Sequence, residues 1–174
     1  TGVVGVRQLM DERQGIVDGP KAYAHPIDMN VIPHGGEFLE DGSTTEEEKL
    51  LKESRKIMGD DKIGVSATVV RVPVTGGHSE SVNIQFKNEF SLAAVRSHLS
   101  QFPGIVVQDE PAEKIYPMPL LAAGKNEVFI GRIRRDFSAP RSLNCWIVSD
   151  NLRKGAATNA VQIVQYLMHK NWLS

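Results

Sequence analysis

The stretch GVSATVVRVPVTGGHSESVNIQFK, residues 64–87, decides the fold class. Its opening, GVSATVVRV (64–72), is rich in β-branched residues and reads as a strand. Its close, SVNIQFK (81–87), alternates strictly. Val82, Ile84 and Phe86 fall on one face, and Ser81, Asn83 and Gln85 on the other. That is the pattern of a strand with one face in water. Pro73 and the Gly76-Gly77 pair punctuate the join. Two strands in direct succession argue against a strict strand–helix alternation.

The flanking segments extend this reading. Val3, Val6, Leu9 and Met10 recur at helical spacing over the first fifteen residues. Residues 18–43 follow as a long irregular stretch, of the kind that is functional or pinned to another surface. Thr45 with Glu48 three residues on predicts a capping box. The helix it opens runs to about Met58, with Leu50, Leu51, Ser54 and Ile57 on its buried side and Gly59 ending it. Ser91 is expected to cap a helix, SLAAVRSHLSQ, closed by Pro103-Gly104. GIVVQD, EVFIGRIRRD and SLNCWIVSD read as further strands, with a proline-rich excursion over 110–126. From about Lys154 onward, apolar residues at 157, 160, 161, 164, 167 and 168 predict an amphipathic helix. Strands in runs predict an α+β class: a mixed, largely antiparallel sheet with helices packed on one face, in a single domain over 1–174.

Composition bounds the function. With 41% hydrophobic and 24% charged residues, the 174-residue chain can bury a core and keep a charged surface. Its formal net charge of −1 provides no overall field for nucleic acid or an anionic membrane. No apolar run approaches the ~18 residues of a membrane span. The N-terminal stretch lacks the basic start and apolar core of a signal peptide. One cysteine, Cys145, rules out an internal disulfide and favours a reducing, cytoplasmic home. The five histidines show no metal-ligand spacing, so no metal site is expected.

Several residues carry possible chemistry. On a regular strand, Arg71 shares the face of Val65, Ala67 and Val69. A guanidinium aligned with a buried face must find an anion, and its planar fork suits a carboxylate. His78 follows two glycines that allow a sharp turn, and imidazole exchanges protons near neutral pH. An internal salt bridge for Arg71 and a capping or core role for His78 are the plainer readings. Glu46 and Lys49 sit three apart in the first turn of a helix. They form either a solvated pair or an anion-binding lysine held by its neighbour. The segment SDNLRKGAATNA (149–160) enters the last helix with small residues that admit a flat ligand, a backbone or a second subunit. Cys145 alternates as a core position and reads as a small hydrophobe, not a nucleophile.

Four stretches resemble, in the same order, the C-terminal part of aspartate-semialdehyde dehydrogenase. They are NVIPHGGEFLEDGSTTEEEK (30–49), VSATVVRVPVTGGHSESVNI (65–84), GRIRRD (131–136) and SDNLRKGAATNAVQI (149–163). The blocks around RVPVTGGHS and DNLRKGAA are the specific ones; the first twenty residues match only loosely. The resemblance implies a C-terminal domain of the glyceraldehyde-3-phosphate dehydrogenase class that binds substrate and forms a homodimer. It implies that Arg71 binds the substrate carboxylate and that His78 is the catalytic acid/base. Lys49 would bind phosphate. Glu46 would partner that lysine and contact substrate, and Asn151 would touch the nicotinamide part of NADP. The implied reaction interconverts aspartate semialdehyde plus phosphate with aspartyl phosphate, in the biosynthesis of lysine, threonine and methionine.

The chain departs from the family in one large respect. It has no glycine-rich nucleotide loop and no candidate catalytic cysteine, features of an N-terminal NADP-binding Rossmann domain absent from these 174 residues. Alone, it is expected to be inactive. Two alternatives stay open: a non-catalytic dimerisation module of the same fold, and a related acyl-phosphate reductase such as N-acetyl-glutamyl-phosphate reductase.

Overall fold

A computed structural model describes residues 2–172. The chain forms two compact units, Thr1–Val74 and Thr75–Ser174.

The first unit is held together largely by side chains that satisfy irregular backbone. Helix α1 spans Gly2–Arg13, as its apolar spacing predicts. Leu9 packs with Ile27 and Ile32 in a small core, with Tyr23 against it. Gln8 is also buried, 3% exposed. Its Oε1 accepts the N–H groups of Ala22 (2.7 Å) and Tyr23 (3.0 Å). Glu12, one turn on, accepts from Ile27 (2.8 Å) and Asp28 (2.9 Å). Burial works against the Glu12 charge, but the N–H of Asp28, the Gln8 amide and the N–H of Ile27 outweigh it and lower its pKa. So the long stretch after residue 18 is pinned by two polar side chains of one helix face. Buried backbone groups need such partners. Replacing Gln8 by leucine strands two amide groups, and about 2–3 kcal/mol of unfolding free energy should be lost, measured by urea denaturation.

Helix α2 spans Thr45–Met58 and ends at Gly59 in the left-handed conformation (φ 63°). Its N-cap is Thr44, with Glu47 closing the capping box, one residue earlier than the sequence pattern predicts. Glu47 settles the register. Its second oxygen accepts the N–H of Val69 (2.8 Å), which joins the helix start to the segment that follows it. That bond, then the one from Thr44, holds the Glu47 carboxyl below its ordinary pKa. Leu50 (43% exposed) and Ile57 (79%) are not buried within this unit, contrary to the predicted helix face. The segment 64–72 is extended and alternates between half-buried and exposed residues, but it forms no regular strand. Its one ladder contact is an antiparallel bridge between Ile32 and Arg71.

The second unit is built on a four-stranded sheet, β1 (His78–Gln85), β2 (Ile105–Val107), β3 (Val128–Asp136) and β4 (Ser142–Ser149). The order is β1-β4-β3-β2. β1 and β3 lie antiparallel to β4, and β2 runs parallel to β3. The expected α+β class with a mixed, largely antiparallel sheet is therefore what forms. Helix α3 (Leu92–Gln101), capped by Ser91, covers one face. There Val95 and Leu99 pack on Ile130, Ile133, Leu143 and Cys145. The opposite face holds Phe129, Val148 and Trp146, with Ala122 of the short helix α4 (Pro119–Ala122) against them. A bulge breaks the β3–β4 register between Gly131 and Arg134. Asp109 stabilises it by accepting the N–H groups of Arg132 (2.7 Å) and Ile133 (3.2 Å) while pairing with Arg96 (2.6 Å). The last helix, α5, spans Thr158–His169 and has no buried residue. It starts later than predicted, because Lys154, Gly155 and Ala156 have non-helical backbone.

Candidate functional site

The predicted site residues divide between the units: Glu46, Lys49 and Arg71 belong to the first, His78 and Asn151 to the second.

In the first unit a pair of glycines brings the charged groups together. Arg71 is half-buried on the same side of its segment as Val65, Ala67 and Val69, as alternation predicts. Its backbone is fixed by reciprocal bonds with Ile32 (2.8 and 3.0 Å). Gly35 then passes so close that a Cβ there would meet Val69 Cγ1 at 2.6 Å and Arg71 Nη2 at 3.1 Å. Gly36 (φ 81°) lies on the start of α2, where a Cβ would overlap the Thr45 hydroxyl and reach Glu46 Cγ at 3.4 Å. Adjacent α-carbons are about 3.8 Å apart, so Arg71 and Glu46 flank a two-glycine bridge. Lys49 extends the cluster, 3.9 Å from Glu46. Both side chains of that pair are about half exposed (54% and 45%), so the pair adds little to stability. The Arg71 guanidinium has no ion pair or side-chain hydrogen bond among the described residues. A partly buried cation left this way carries a desolvation cost that a bound anion would offset.

His34 stands beside these glycines, and sequence reasoning passed over it. Its ring stacks on Phe38 with centroids 4.4 Å apart and planes 6° from parallel. Its Nε2 is buried without a hydrogen-bond partner. The PHGG string looks like loop punctuation, and no pattern in it signals a stacked imidazole.

In the second unit the turn before β1 places His78. Gly76 (φ 96°) and Gly77 (φ 125°) adopt backbone that disfavours any side chain. A Cβ on Gly77 would overlap the carbonyl oxygen of Ser149, and one on Gly76 would meet Ala123 Cβ at 3.1 Å. The glycines thus press the chain against the end of β4, and His78 lies opposite Ser149 in the ladder. Asn151 follows two residues later, so both residues occupy one end of the sheet. Both are exposed, and the His78 imidazole has no partner among the described residues. Between them in the chain, Asp150 is 7% exposed and accepts the N–H groups of Gly124 (2.7 Å) and Leu152 (2.9 Å). The Gly124 bond does most to hold its carboxyl below the ordinary pKa.

Cys145 is a core residue, 2% exposed, and burial pushes its thiol pKa up. It has the character of a packed hydrophobe, as read from the sequence, and not of a nucleophile. No helix of the described residues is long and apolar enough to cross a membrane. The described residues hold no cluster of three or more metal-ligating side chains.

A half-buried guanidinium, an acid–cation pair and an exposed imidazole thus lie on an α+β scaffold. Residues 2–154 match the model for the semialdehyde dehydrogenase dimerisation domain, and the chain belongs to that family. Among its relatives, an aspartate-semialdehyde dehydrogenase of Aquifex aeolicus is 46% identical over 172 residues, 96% of this chain and 51% of the relative. The crystal structure of aspartate semialdehyde dehydrogenase II from Vibrio cholerae complexed with ASA is 36% identical with a TM-score of 0.87. It covers 95% of this chain and 49% of that one. The Candida albicans enzyme with NADP is 25% identical at a TM-score of 0.67, covering 99% and 56%. The chain spans about half the length of the relatives it matches.

Proposed function

We propose that residues 1–174 act as one substrate-binding and dimerisation domain of an NADP-dependent aspartate-semialdehyde dehydrogenase. The observation that carries this reading is the unpaired Arg71 guanidinium beside Gly35, one glycine from Glu46 and a helix turn from Lys49. Arg71 binds the α-carboxylate of aspartate semialdehyde through its two-pronged face. Glu46 contacts the same substrate and steadies Lys49, whose ammonium binds the incoming phosphate. Fixing both reactants removes much of the entropy cost of bringing them together. His78, exposed and unpaired, takes and returns the proton of the thiol and of the carbonyl oxygen during attack.

The cofactor fits this chain at one end only. Asn151 is exposed at the sheet end, and Gly155 (φ 85°) has nothing within 4 Å of where a Cβ would stand, leaving room for a flat ring. When bound, NADP supplies the hydride-accepting carbon. Asn151 orients its nicotinamide by hydrogen bonding, while the rest of the dinucleotide and the attacking thiol belong to a second, nucleotide-binding domain. A twin copy of the chain, as the family's dimerisation role suggests, completes the assembly in the cytoplasm, in a step of amino-acid biosynthesis.

The test is an assay of the isolated 174-residue chain with aspartate semialdehyde, phosphate and NADP. No turnover is expected, and turnover would contradict the division of labour. The full-length protein should be active under the same conditions.

A further inference from the structure

We infer that Asp150 is a positioning residue for the cofactor end of the site, holding Asn151 against the same sheet end as His78. The inference rests on the cofactor reading of Asn151. Three segments meet at this aspartate. Its two carboxylate oxygens accept from Gly124, just past α4, and from Leu152. Its backbone carbonyl accepts from Arg153 (3.1 Å) and Lys154 (2.8 Å). Its α-carbon lies 3.2 Å from where a Cβ on Gly77 would stand, in the turn that delivers His78.

Asn151 lies inside this clamp. The residue before it carries the carboxylate and the residue after it donates to that carboxylate, so Asp150 sets its position. The segment beyond it lacks helical backbone from Lys154 to Ala156 and is held by side chains, with Arg153 and the Thr158 hydroxyl donating to Asn126 Oδ1 (3.1 and 3.0 Å). Without the carboxylate the direct bond from this loop to the Gly124 amide is lost, and the remaining ties to that segment enter two residues or more past Asn151. An amide in place of the carboxylate keeps the size but turns a donor toward one of the two N–H groups.

The experiment uses the full-length protein and compares Asp150→Asn with Asn151→Ala. Both variants should raise the KM for NADP about tenfold, the scale of one lost hydrogen bond to a charged group. In both, the KM for aspartate semialdehyde should stay within about twofold, because its carboxylate site lies on other residues. A split between the two KM values is what a general loosening of the fold would not produce. If Asn151→Ala raises the KM for NADP and Asp150→Asn does not, or raises both KM values alike, the assignment of Asp150 is overturned. If Asn151→Ala leaves the KM for NADP unchanged, the cofactor reading of this loop falls, and the assignment with it. Should Asp150→Asn fail to fold, hydrogen exchange of the wild-type protein decides. The amides of Gly124 and Leu152 should gain protection on adding NADP; no gain in the presence of bound NADP overturns the inference.

Discussion

Arg71→Lys in the full-length protein is expected to lower kcat/KM for aspartate semialdehyde about a hundredfold, mostly through KM, equivalent to about 2.7 kcal/mol. Lysine keeps the charge, so the variant isolates the geometry. The guanidinium fork makes two parallel bonds to a carboxylate, and an ammonium makes a point contact. Arg71 is well placed for this because its backbone is locked by two bonds to Ile32, while its side chain has no competing partner among the described residues. Steady-state kinetics on the two proteins gives the answer. A change of less than about threefold would mean that Arg71 carries no bidentate contact in the productive complex. Such a result would favour a dimerisation module that keeps the fold without the chemistry.

Replacement of His78 by asparagine should cost more, about 10²- to 10⁴-fold in kcat, with KM for aspartate semialdehyde little changed. The imidazole is exposed at the first residue of β1 and bonds to no described neighbour, so its removal leaves the fold intact. The loss should therefore fall on proton transfer alone. A loss carried by KM instead of kcat, or a melting temperature that falls with activity, would assign His78 a structural role.

Much of this site is legible in the sequence, for reasons that differ from residue to residue. Arg71 is legible because alternation is a backbone property: side chains two apart share a face whether or not a ladder forms. His78 is legible because Gly76-Gly77 can mean only a sharp turn, and the close approach to Ser149 shows why no side chain is tolerated there. The strand expected at 64–72 did not form as a ladder, because β-branched residues specify an extended chain but not a pairing partner. The single bridge from Ile32 comes out of an irregular stretch that no periodicity announces. The capping box slipped by one because Thr44-Thr45 followed by three glutamates satisfies the pattern in two registers. The contact that chooses between them, Glu47 with Val69, spans 22 residues. Leu50 and Ile57 show that an apolar stripe identifies a face without saying what covers it. Asp150 and Gln8 were invisible for a related reason: each serves backbone groups far off in sequence, and a lone aspartate or glutamine signals nothing until its partners are known.

The most direct measurement is a crystal structure of the full-length protein with aspartate semialdehyde bound. The expected result is one substrate molecule whose carboxylate is held by the Arg71 fork. That carboxylate should lie about 3 Å from the Arg71 guanidinium nitrogens. A substrate carboxylate bound elsewhere, with the Arg71 guanidinium left without an anion, would contradict the account.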